Sequence, residues 1–72
     1  MNESIQILDV VALTGDLPER KLYRGQVGTI VEQLSDQIFE VEFSDDDGKT
    51  YALVPVGANQ LMVLHYEPIE IG

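Results

Sequence analysis

A chain of 72 residues, 44% of them apolar, is long enough for one small globular domain spanning residues 1–72 and too short for two. Thirteen acidic side chains against four basic give a formal charge of −9, which repels nucleic-acid phosphates and anionic membranes and favours a protein partner with a basic surface. There is no cysteine for a disulfide or thiolate metal site, no run of the ~20 apolar residues that a membrane span needs, and an acidic start, Met1-Asn-Glu-Ser4, unlike a signal peptide; a cytoplasmic location is expected.

Ile5 to Leu13 is rich in β-branched residues and stops at Thr14-Gly-Asp16, which predicts a first strand. Asp9 interrupts its apolar run and is expected to face solvent or cap a loop. A polar loop from Thr14 to Arg24 follows, with Leu17, Leu22 and Tyr23 as its expected anchors on the core. Within it, Leu17 to Lys21 offers only a weak helical signal.

The segment Arg24-Gly-Gln-Val-Gly-Thr-Ile-Val-Glu32 carries two glycines three positions apart at the head of a β-branched run. Glycine weakens an ordinary strand, so the pair implies a sharp turn or bulge and a place where another backbone passes close by. A second strand is predicted from Gln26 to Leu34, with Val27, Thr29 and Val31 on one face and Gly28, Ile30 and Glu32 on the other.

Ser35-Asp36 turns the chain into a third strand, Gln37 to Phe43, whose alternation points Phe39, Val41 and Phe43 inward and Glu40 and Glu42 outward. Asp45-Asp-Asp-Gly48 is a hairpin signal, because Asp and Gly accept the positive φ angles of tight turns. The fourth strand is predicted from Lys49 to Val56 with Tyr51 and Leu53 facing the core. Gly57 to Gln60 reads as a connector with one turn of 3₁₀ helix, Leu61 to Leu64 as a short fifth strand, and 66–72 as a tail that Pro68 limits to an edge strand or an extension. Five short strands joined in this way predict an all-β fold, a small five-stranded SH3-like barrel whose closure hides most strand edges.

No constellation of catalytic or cofactor-binding residues emerges. Asp45, Asp46 and Asp47 are consecutive, whereas a calcium loop needs alternating acids and a distant glutamate, so they read as a solvated turn. His65 is the only histidine and has no cysteine to join it in a zinc site. As a base it would need a positioned nucleophile, and Ser4, Ser35 and Ser44 fall at a terminus and in turns. It is expected at the surface, at a strand end. Glu40 and Glu42 stand roughly 7 Å apart by strand spacing, but the outer face of an alternating strand is ordinarily just solvated. Tyr23, Tyr51 and Tyr66, with no tryptophan, are a poor basis for a polyproline groove.

These features predict a non-enzymatic protein-binding module that needs no cofactor or metal. Glu40, Glu42, Asp45, Asp46 and Asp47 would steer a basic partner, and Ile69 and Ile71 would add apolar anchoring. Arg20, Lys21 and Arg24 gather three of the four basic side chains in the first loop, where they either pair with the protein's own acids or meet an acidic patch. Self-association is left open.

Leu8-Asp-Val-Val-Ala-Leu-Thr-Gly-Asp-Leu-Pro18 and Leu22-Tyr-Arg-Gly-Gln-Val-Gly-Thr-Ile-Val31, continued by Phe39-Glu-Val-Glu-Phe43, Asp47-Gly-Lys-Thr50 and Leu61, resemble the domain of unknown function 4926 family of small bacterial proteins. The resemblance covers about Ile7 to His65. It implies the fold but no activity, and a place beside a second small protein in an arrangement like a toxin and its antidote. Gly25 to Ile30 is also similar to the KOW motif and to small SH3-like subunits of photosynthetic electron-transfer complexes, which implies the alternative of an accessory subunit in a larger assembly. An RNA-binding KOW module carries basic residues, and residues 25–48 contain none.

Overall fold

The computed structural model describes residues 5–45 and 47–65. Five antiparallel strands form one sheet: β1 (Val10–Leu13), β2 (Val27–Gln33), β3 (Ile38–Ser44), β4 (Thr50–Gly57) and β5 (Leu61–Val63), in the spatial order β4-β3-β2-β1-β5. No α-helix occurs among the described residues; two single 3₁₀ turns, Pro18–Arg20 and Ala58–Gln60, punctuate the connections.

The outermost strands of that order, β4 and β5, are consecutive in sequence and joined only by Ala58–Gln60. So short a link requires the sheet to curl until its two ends approach. The connector is tied to both: the Ala58 amide donates to the Gln37 carbonyl at 2.7 Å beside β3, and the Thr14 amide donates to the Gln60 carbonyl at 3.0 Å beside β1. This is the SH3-like arrangement.

Curling encloses a core of Val11, Leu13, Leu22, Ile30, Phe39, Val41, Phe43, Val54 and Val56, and no polar side chain among the described residues is buried with it. Each fully buried Leu, Ile, Val or Phe stabilises the fold by roughly 1.5–3 kcal/mol before entropic costs. The inward alternation of Phe39, Val41 and Phe43 is observed as the sequence predicts.

The first strand is shorter than the predicted Ile5–Leu13, because its leading residues form a turn. The Asp9 amide donates to the Gln6 carbonyl at 3.0 Å, and an Asp9 carboxylate oxygen accepts from the Gln6 amide at 2.9 Å, so Asp9 caps a loop as expected. Leu8 occupies the third position of this turn at φ +76° with 73% of its surface exposed. The turn Tyr23–Gln26, closed by the Gln26 amide on the Tyr23 carbonyl, has Gly25 in the corresponding place at φ +91°. Glycine adopts that conformation freely and leucine does not.

The long first loop is pinched where Leu17 and Leu22 exchange backbone hydrogen bonds of 2.8 and 3.1 Å. Leu22 is buried and Leu17 packs against the core, as expected of anchors. Tyr23 is the correction, 49% exposed, because the turn that follows directs it outward.

A further correction comes from a register shift. Leu53 lies on the outer surface and the inward residues of β4 are Ala52, Val54 and Val56, while Tyr51, 48% exposed at the rim, keeps its ring on the core side, 6.4 Å from that of the buried Phe43. Ser44 pairs with Thr50 but Phe43 pairs with Ala52, so Tyr51 is the extra residue of a bulge. Without it, the register would set Phe43 against Tyr51, Val41 against Leu53 and Phe39 against Pro55. One extra residue exchanges the faces of everything beyond it. Similarly, Ile30 pairs with Val41 and Glu32 with Glu40, which makes Val31 the extra residue on β2 and sets Glu32 on the outer face, apart from Gly28 and Ile30, with which simple alternation groups it.

Gly28 lies between Val11 of β1 and Phe43 of β3. A Cβ placed there would meet Val41 Cγ1 at 2.7 Å, the Glu42 carbonyl oxygen at 2.8 Å and Phe43 Cδ1 at 3.0 Å. The close backbone approach that the glycine pair implied is therefore present. Gly28→Ala should destabilise the domain by about 1–3 kcal/mol, read as a lowered urea midpoint with a folded spectrum retained; an unchanged midpoint would show that β2 shifts freely. Leu8→Gly should act in the opposite sense, raising the midpoint and with it the stability by about 0.5–1 kcal/mol, since relief of the left-handed strain exceeds the added entropy of the unfolded chain.

Candidate functional site

The strands have a strongly one-sided charge. No lysine, arginine or histidine lies in β1 to β5, whereas Glu32, Glu40 and Glu42 do, and the register places all three on the outer face of β2 and β3. Glu32 stands directly across from Glu40, and Thr29 directly across from Glu42. On the other side of β3, Glu40 faces Pro55 and Glu42 faces Leu53. Glu40 and Glu42 are half-buried and Glu32 is exposed. A Glu42 carboxylate oxygen accepts a short hydrogen bond from the Thr50 hydroxyl, which orients it along the hairpin.

Asp45 shapes the turn. Its Oδ1 accepts from the amides of Asp47 at 2.9 Å and Lys49 at 3.0 Å, and Gly48 completes the reversal at φ +83°. Asp47 is exposed at the tip. Asp46, Ile69 and Ile71 lie outside the described residues. Glu40, Glu42, Asp45 and Asp47 thus belong to one hairpin, as the sequence implied.

Arg20, Lys21 and Arg24 project from the first loop and are exposed. The pinch at Leu17 and Leu22 holds Arg20 and Lys21 at its tip, with Lys21 at φ +59° and its amide donating to the Pro18 carbonyl at 3.0 Å. Asp16 Oδ1 accepts from the Arg24 amide at 2.8 Å and ties the two legs of the loop together. Among the described residues no ion pair joins these three side chains to a carboxylate. The acidic hairpin and the basic loop are separate features.

The outward position of Glu32 was hidden from sequence reasoning, because the bulge at Val31 decides its face. The Tyr51 hydroxyl accepts from Gln26 Nε2 at 3.0 Å, and its ring lies 6.4 Å from that of Phe43, tilted by 38°. His65 is exposed just beyond β5, as expected. Among the described residues no group of three histidine or acidic side chains is placed to hold a metal ion.

The curled five-stranded sheet, with its acidic outer face, defines a small SH3-like barrel. The chain belongs to the family of the domain of unknown function DUF4926, whose model matches residues 7–63. Neither the curated proteins nor the solved structures give a match.

Like charges directly opposite on neighbouring strands repel. Glu32→Lys should therefore stabilise the barrel by about 0.2–1 kcal/mol at low ionic strength. Paired urea titrations at low salt and in 1 M salt would check this, and the gain should largely vanish at the higher concentration, where the screening length falls to ~3 Å.

Proposed function

We propose that this chain is a non-enzymatic, cytoplasmic protein-binding module that associates with a basic protein, as the neutralising half of a two-protein system. The observation that carries the reading is the segregation of charge. All three acidic strand residues share one outer face, and the strands hold no cation to offset them. With a net charge of −9, such a face attracts a cationic surface over distances set by the screening length and so accelerates encounter. Asp45 and Asp47 extend the same field to the hairpin tip.

A second reading, an accessory subunit held permanently in a larger assembly, draws on the exposed apolar side chains Val27, Tyr51 and Leu53. Salt separates the two, since steering weakens with screening and an apolar permanent interface does not.

Co-purification from the native cell at low and at high salt is the test. A basic protein retained at low salt and released at high salt supports the first reading, and a complex indifferent to salt supports the second. With the partner in hand, replacing Glu40 and Glu42 together by lysine should slow association at low salt by about tenfold or more and leave dissociation much less affected. Stopped-flow mixing measures this, with a urea titration to confirm that the variant folds; unchanged kinetics would remove this face from the interface.

A further inference from the structure

We infer that the outer face of β2, β3 and β4 is a docking platform for an amphipathic segment of another protein that carries both apolar and lysine or arginine side chains. The inference rests on the proposed binding role and specifies its surface and partner chemistry.

The outer side of a sheet that faces water is ordinarily polar, and isolated exposed apolar residues need no explanation. Here four stand on one face. Val27 and Val31 of β2 are 43% and 37% exposed, Leu53 of β4 is 52% exposed, and Pro55, directly across from Glu40, is exposed as well. The strand between them contributes Glu40 and Glu42 to the same face, with Leu53 directly across from Glu42. The platform is thus two apolar margins flanking a carboxylate row.

Val31 is a bulge residue, turned outward at the cost of interrupted pairing. Glu42 is oriented by the hydrogen bond it accepts from the Thr50 hydroxyl, so the carboxylate row is partly ordered before anything binds. Charge selects the occupant. A second copy would set carboxylates against carboxylates, and an anionic bilayer would be repelled in the same way. A cationic segment with its own apolar residues satisfies both margins and the row.

Nuclear magnetic resonance on the ¹⁵N-labelled full chain tests this with three defined peptides of equal length: an amphipathic leucine–lysine helix, polylysine, and a leucine–glutamine helix without charge. The leucine–lysine peptide should shift the amides of residues 27–32, 40–44 and 51–55. It should bind at least about tenfold more tightly than either control, and Leu53→Gln should weaken it by about tenfold while the rest of the spectrum is preserved. Equal binding of polylysine, or shifts confined to other residues, would overturn the platform. Concentration-dependent shifts of this face without peptide would make a second copy the occupant and overturn the heterologous assignment. A salt-sensitive natural partner whose affinity is unchanged by Leu53→Gln would overturn the platform alone and leave the parent reading standing.

Discussion

The fold depends on the absence of a side chain at Gly28. The space its Cβ would occupy is taken by Val41, Phe43 and the Glu42 carbonyl, and both Val41 and Phe43 are wholly buried. Because β1 lies on the other flank of Gly28, this one position lets the central strand approach β3 while it remains paired to Val11. A core built from so few side chains has no spare volume to absorb a methyl group, since interiors pack as densely as organic crystals. Gly25, three residues earlier, supplies the turn that delivers the chain to that contact, with its own amide bonded to the Leu13 carbonyl at 2.8 Å.

The same tightness explains why both bulges matter. Along β4, residues 51 to 56 are apolar on both parities, so alternation cannot choose a face. The extra residue at Tyr51 brings Val54 and Val56 against Val41 and Phe39, and it keeps Pro55 off the core side. Proline lacks an amide for the ladder and is tolerated on an edge strand such as β4. On β2, the extra residue at Val31 removes Glu32 from the interior, where an unpaired carboxylate would be costly.

This contrast marks what could be read from the chain. Phe39, Val41 and Phe43 were legible because glutamates separate them, and the two glycines because each has a distinct physical use. Asp45 announced its turn through chemistry that any hairpin shares. The faces of Leu53 and Glu32 were not legible, since a single extra residue in a strand leaves no signature in the chain yet shifts the register beyond it. The Gln6–Asp9 turn was hidden for a related reason: Leu8 takes a position where glycine or asparagine would have signalled it. The acidic hairpin could therefore be seen in advance, but its apolar margins required the register.

The pairing of β1 with β5 has a consequence for the order of synthesis. Val11 pairs with Val63 and Leu13 with Leu61, contacts that span almost the entire described chain. During translation β2, β3 and β4 can assemble from near neighbours, but β1 keeps one open edge until Val63 has emerged. A nascent barrel therefore displays one open edge of a wholly apolar strand, Val-Val-Ala-Leu, until β5 is made. Exposed edges of that kind invite pairing with other chains. The net charge of −9 acts throughout that interval, and the repulsion between like-charged copies opposes their association until the last strand closes the sheet.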